Sequence, residues 1–124
     1  MKFLIIGDLH GKKPKIHFKD FDAIIAPGDF CLDHAKEYMW MSYRSQMEGK
    51  PRGWWEFCGG IESAKKLLKE SFDGGRKVLE YLNSFGKPVF IVPGNWDRTR
   101  GPKREYRKCM WYYNFIGEHN KLYD

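Results

Sequence analysis

The sequence is poor in the features that would place it in several large classes. Its purely apolar runs are only a few residues long, so none approaches the roughly 20 residues of a membrane span. Met1–Ile6 is too short for a signal peptide and is expected to be a first strand. The three cysteines, Cys31, Cys58 and Cys109, give neither a zinc-knuckle spacing nor an even disulfide set. A reducing, cytoplasmic setting is therefore expected. There is no internal repeat and no low-complexity tract. Histidine is scarce: His10, His17, His34 and His119 are all there are.

What is present is enough for one domain of 124 residues with a core of its own. The net charge of +6 is unevenly spread. Arg98, Arg100, Lys103, Arg104, Arg107 and Lys108 crowd one segment, opposed only by Asp97 and Glu105. Such a segment fits phosphorylated substrates or nucleic acid, or equally a solvated loop.

Short β-branched runs alternate with helical patterns. Phe3–Ile6, Phe21–Ala26 and Val89–Val92 read as strands, the first as one buried on both faces. The gap between the first two leaves room only for a loop or a short helix. Asp33 is placed to cap a helix running to about Met47, with Ala35, Met39, Tyr43 and Met47 on one face as packing residues. Gly49–Gly60, with Trp54 and Trp55, reads as a loop, and residues 33–60 together as an aromatic helix-and-loop insertion. Ile61–Phe85 has helical periodicity, with Gly74-Gly75 a candidate kink and Gly86 a stop. Tyr106–Ile116 is aromatic-rich and reads as helix or strand. The order implies an α/β fold with a largely parallel sheet.

Each strand run ends in a glycine-led turn bearing ligand-type side chains: Gly7-Asp8-Leu9-His10, Pro27-Gly28-Asp29 and Pro93-Gly94-Asn95-Trp96-Asp97. Ligands in open α/β sheets bind beyond the carboxyl ends of strands, which is where all three fall. In an extended chain Asp8 and His10 point the same way. A carboxylate and an imidazole, a second carboxylate at Asp29 and the amide oxygen of Asn95 form a mixed N/O set. That set suits manganese, iron, zinc or nickel better than calcium. Turn-capping aspartates would account for any one motif but not for three in succession.

This ordered set resembles the first three motifs of the calcineurin-like metallophosphoesterases, over roughly residues 1–97. The resemblance implies the N-terminal half of an αββα sandwich, mostly parallel, with metal ligands at strand C-terminal ends. It implies that Asp8 and His10 bind one divalent metal ion, that Asp29 bridges two, and that Asn95 binds the second. It further implies metal-assisted hydrolysis of phosphomonoesters or phosphodiesters by water, with Arg98 and Arg100 placed to grip phosphate. Asp97 is expected to orient Asn95 or Arg98 from behind.

The sequence departs from the family pattern twice. Trp96 stands where the family commonly has a histidine that helps the leaving group; indole has no useful pKa, and loss of a general acid typically costs about 10²–10⁴-fold in rate. The two later motifs, a lone histidine and a Gly-His-x-His, do not occur. His119 is the one histidine after the third motif, and neither it, His34 nor His17 sits in a matching context. The second metal site is thus expected to be weak, and the domain incomplete unless a C-terminal half, a partner polypeptide or a homo-oligomer completes it. Two further readings are a non-catalytic scaffold using Trp54, Trp55 and Trp96 to bind a protein, and a nucleic-acid-binding module or nuclease using residues 98–108.

Overall fold

The computed structural model describes residues 1–92, 94, 96 and 97. Within these, strand β1 (Phe3–Ile5) leads through a loop to β2 (Ala23–Pro27). Helices α1 (Lys36–Met47), α2 (Trp54–Phe57) and α3 (Ile61–Asn83) follow, then β3 (Val89–Val92). The strands form one parallel sheet in the order β1-β2-β3, with Leu4 opposite Ile24, Ile24 opposite Val89 and Ala26 opposite Ile91. The first connection is a loop, and the second carries all three helices, so every strand delivers its C-terminal end to the same edge.

The core lies on one face of the sheet. Leu4, Ile24 and Ala26 pack with Phe72, Val78, Leu79 and Leu82 of α3, with Val89 and Ile91 at the margin. Among the described residues the opposite face is apolar but uncovered: Phe3, Ile5, Phe90 and Val92 are between 47 and 68 % exposed. The expectation that β1 is buried on both faces therefore holds for one face only. Its alternation of exposed, buried and exposed residues follows from helices covering a single side.

Helix α3 runs unsplit through Gly74 and Gly75, the candidate site of a kink or split. A Cβ on Gly74 would come within 2.8 Å of the Leu32 side chain, so the glycine admits the loop after β2. Ser71 completes the junction, its hydroxyl donating to the Leu32 carbonyl at 2.6 Å.

Helix α1 begins at Lys36 with no side-chain cap; Asp33 contributes its carbonyl, which accepts from the Lys36 amide at 2.9 Å. Ala35 and Met39 face a second small core with Trp54, Tyr38, Ala64, Leu67 and Leu68, whereas Tyr43 and Met47 are exposed. Four-residue spacing advances about 40° per step at 3.6 residues per turn, so by Met47 the stripe has rotated out to solvent. The expected loop 49–60 contains α2, whose start is capped by Glu56 accepting from the Gly53 amide at 2.8 Å. Trp54 is buried and Trp55 packs beside it, so this aromatic pair builds a local core rather than a free surface. The expected element Tyr106–Ile116 lies outside the described residues. No helix among the described residues is long and apolar enough to cross a membrane.

Candidate metal centre

The first two turns run side by side past the ends of their strands. The amides of Asp8, His10 and Gly11 donate to the carbonyls of Gly28, Asp29 and Phe30 at 3.0, 2.8 and 2.8 Å, extending the β1–β2 ladder into the loops. Gly28 in turn donates to the Val92 carbonyl at 2.7 Å, which ties the second turn to the end of β3. Leu9 is buried in the main core, and its neighbours Asp8 and His10 are turned outward.

Asp8, His10 and Asp29 meet at this edge, each offering one ligand atom within 4.8 Å of the others. They are also the only non-glycine residues with positive φ among those described, at 56°, 43° and 55°. Such left-handed backbone costs on the order of 1 kcal/mol per residue for a side chain with a Cβ. Asp8 and His10 therefore share a direction through two left-handed residues, not through the extended chain expected from their spacing. Strain gathered on three ligand-type side chains and on no other non-glycine residue described is the pattern of a site held in place by its surroundings.

The imidazole of His10 fixes the polarity of the cluster. Its Nδ1 lies 3.1 Å from the Cys31 carbonyl, which can only accept, so Nδ1 carries the proton. In a ring protonated at Nδ1 alone, Nε2 would present its lone pair to Asp8 Oδ1, 2.8 Å away. Two acceptors face each other there, a mismatch that a cation or a second ring proton resolves. Main-chain support at one ring nitrogen and a carboxylate beside the other is the arrangement expected of a metal-binding histidine. The Asp8 side chain is 82 % exposed, so its oxygens are open to an incoming ion. The donor set therefore fits a divalent transition metal.

The third turn closes over Asp29. The Trp96 amide donates to Asp29 Oδ1 at 2.8 Å. A Cβ on Gly94 would fall 2.2 Å from that same oxygen and 2.4 Å from the Asp29 nitrogen, so only glycine lets the turn approach this closely. The Trp96 ring packs against the main core. The carboxylate of Asp97 is buried and accepts from the Phe30, Cys31 and Gly94 amides. Asn95, Arg98, Arg100 and His119 lie outside the described residues. His17 and His34 are exposed and stand apart from the cluster.

Sequence reasoning missed Cys31, which serves the site twice. Its carbonyl orients His10, and its thiol is buried beside the Asp97 carboxylate. Burial, reinforced by the nearby Asp97 carboxylate and then by Asp29, pushes the thiol pKa well above its usual range. A main-chain carbonyl leaves no side-chain signature, so nothing in the sequence marks the first of these roles.

Comparison with known proteins agrees with the geometry. No curated protein and no solved structure matches the chain. The sequence model of the family described as calcineurin-like phosphoesterase matches residues 1–124. Three parallel strands ending in a strained carboxylate–imidazole cluster, together with that match over the whole sequence, establish that the chain belongs to the calcineurin-like phosphoesterases.

Proposed function

We propose that this protein hydrolyses phosphate esters using divalent metal ions held by Asp8, His10, Asp29 and Asn95. The observation that carries this reading is the convergence of Asp8, His10 and Asp29 within 4.8 Å, with the His10 ring oriented from behind. Divalent ions in such a site supply Lewis acidity and a nucleophilic water at neutral pH. The chain's own residues bind and orient. Asp8 and His10 form one pole of the site. Asp29 is held by the Trp96 amide, and Asn95 directly precedes Trp96 in the sequence. Arg98 and Arg100 follow directly and are assigned to the phosphoryl oxygens.

Trp96 shapes the substrate preference. No proton donor stands at this position, so esters with acidic leaving groups, such as aryl phosphates, are turned over in preference to alkyl esters. Asp29 and Asn95 alone make a weak second metal site. The open apolar face of the sheet supports a further layer of polypeptide, bearing additional histidines, that packs there and completes the site.

The test is hydrolysis of bis(p-nitrophenyl) phosphate with Mn²⁺ added to the purified chain, alone and with any polypeptide that co-purifies from the native source. Activity that needs the metal and falls to background in Asp29→Ala is expected. Activity unchanged by chelator or by Asp29→Ala would sink the reading.

A further inference from the structure

Asp97 is the one buried carboxylate among the described residues, 1 % exposed, and it stands apart from the metal-ligand cluster. Its Oδ1 accepts from the amides of Phe30 and Cys31, both at 3.0 Å, and its Oδ2 accepts from the Gly94 amide at 2.9 Å. No ion pair to it is found among the described residues. A buried carboxylate is costly unless it is hydrogen-bonded, and here it is met by three main-chain donors and by the Cys31 thiol.

The identity of those donors matters. Phe30 and Cys31 directly follow Asp29, and Gly94 directly precedes Asn95. One side chain thus fastens the turn after Asp29 to Gly94 of the third turn, across 66 and 67 positions of sequence. The Trp96 amide then reaches Asp29 Oδ1 from the same turn. The Cys31 end of the clamp is also the residue whose carbonyl orients His10. A residue needed only to fill space would not have to be a carboxylate. An asparagine keeps one acceptor oxygen but turns an NH₂ toward a donor.

From this geometry we infer that Asp97 is the positioning residue of the metal centre, setting where Asp29 stands relative to the third turn. The metal part of this inference rests on the phosphoesterase reading; the loop part does not.

The experiment measures both parts. Amide hydrogen exchange is followed by NMR in metal-free protein for wild type, Asp97→Asn and Asp97→Ala, below the melting transition of each. Mn²⁺ affinity is measured by calorimetry on the same samples, with Asp29→Ala as reference. Exchange is expected to accelerate about tenfold or more at Phe30, Cys31, Gly94 and Trp96 in the alanine variant, while the amides of α3 keep wild-type protection. The asparagine variant falls between, accelerating most at Gly94. Mn²⁺ binding weakens about 10–100-fold in the alanine variant and less in the asparagine variant.

Unchanged exchange at those four amides overturns the inference, as does wild-type Mn²⁺ affinity in both variants. Uniform loss of protection throughout α3 assigns Asp97 to general stability and overturns it as well. If wild type binds no Mn²⁺, the phosphoesterase reading fails, and the exchange pattern alone decides the role of Asp97.

Discussion

The amide of Trp96 donates to Oδ1 of Asp29 at 2.8 Å, joining residues 67 positions apart. This contact sets the orientation of a carboxylate that the family resemblance makes the bridge between two ions. It also explains how a tryptophan serves where the family commonly has histidine. The main-chain contribution of that position does not depend on the side chain, and the indole ring packs against the core instead.

Gly94→Ala tests that closeness directly. The added methyl would lie 2.2 Å from Asp29 Oδ1 and 2.4 Å from its amide nitrogen, so the third turn must withdraw. Overpacking of this kind typically costs about 1–3 kcal/mol. Both a lower thermal midpoint and loss of Mn²⁺ binding are expected, whereas alanine at the exposed Lys66 changes neither. Retained metal affinity in Gly94→Ala would show that Asp29 is not held by this turn.

The His10 ring gives a prediction with atomic resolution. Because Nδ1 faces the Cys31 carbonyl and Nε2 faces Asp8, a bound metal meets Nε2. In ¹⁵N-labelled protein titrated with Zn²⁺, the Nε2 resonance of His10 should move to a metal-bound position while Nδ1 stays protonated. His17 and His34, both exposed, should be unaffected by stoichiometric zinc. A shift at Nδ1 instead would mean that the ring turns over on binding and that the Cys31 contact is not a support.

The same residues show what could be read in the sequence and what could not. The three glycine-led turns, β3 and the long helix were legible because apolar runs ending in glycine, and a 3.6-residue stripe, are local patterns. The left-handed backbone of Asp8, His10 and Asp29 was not, because such φ values are ordinarily supplied by glycine and here are imposed by neighbouring turns. Nor was the inward direction of Asp97, whose partners are main-chain amides on loops distant in sequence. The four-residue stripe on α1 misled because it drifts around the helix, and β1 read as doubly buried because an apolar run does not reveal how many layers cover it.

Cys31 makes stability fall at alkaline pH. The folded protein holds the thiol proton to higher pH than the unfolded chain does, because the site is buried and lies near the Asp97 carboxylate. Below the ordinary thiol pKa of about 8.5 both states are protonated and this contribution is fully present. Above it the unfolded chain ionises first, and unfolding becomes easier by up to about 1.4 kcal/mol per pH unit. Urea unfolding between pH 7 and 10 under reducing conditions should show this decline, and Cys31→Ala should flatten it by one proton's worth. An identical slope in the variant would remove Cys31 as the cause.

The exposed apolar face of the sheet gives a test of the proposed covering layer. Phe3, Ile5, Phe90 and Val92 project from β1 and β3 on the side that the helices leave bare. Contiguous exposed apolar groups of this kind mark interaction surfaces. The purified 124-residue chain should therefore bind a hydrophobic dye such as ANS in its folded state. Ile5→Thr with Val92→Thr should reduce that binding while changing stability by no more than about 0.5 kcal/mol each, since threonine keeps the β-branch that suits a strand and exposed positions are tolerant. If the same pair also abolishes Mn²⁺-dependent hydrolysis by material purified with its native partners, while Mn²⁺ binding by the 124-residue chain alone persists, then the covering layer supplies the remaining ligands. Dye binding that is absent from wild type, or a stability loss of several kcal/mol in the double variant, would mean that this face is already covered within the chain.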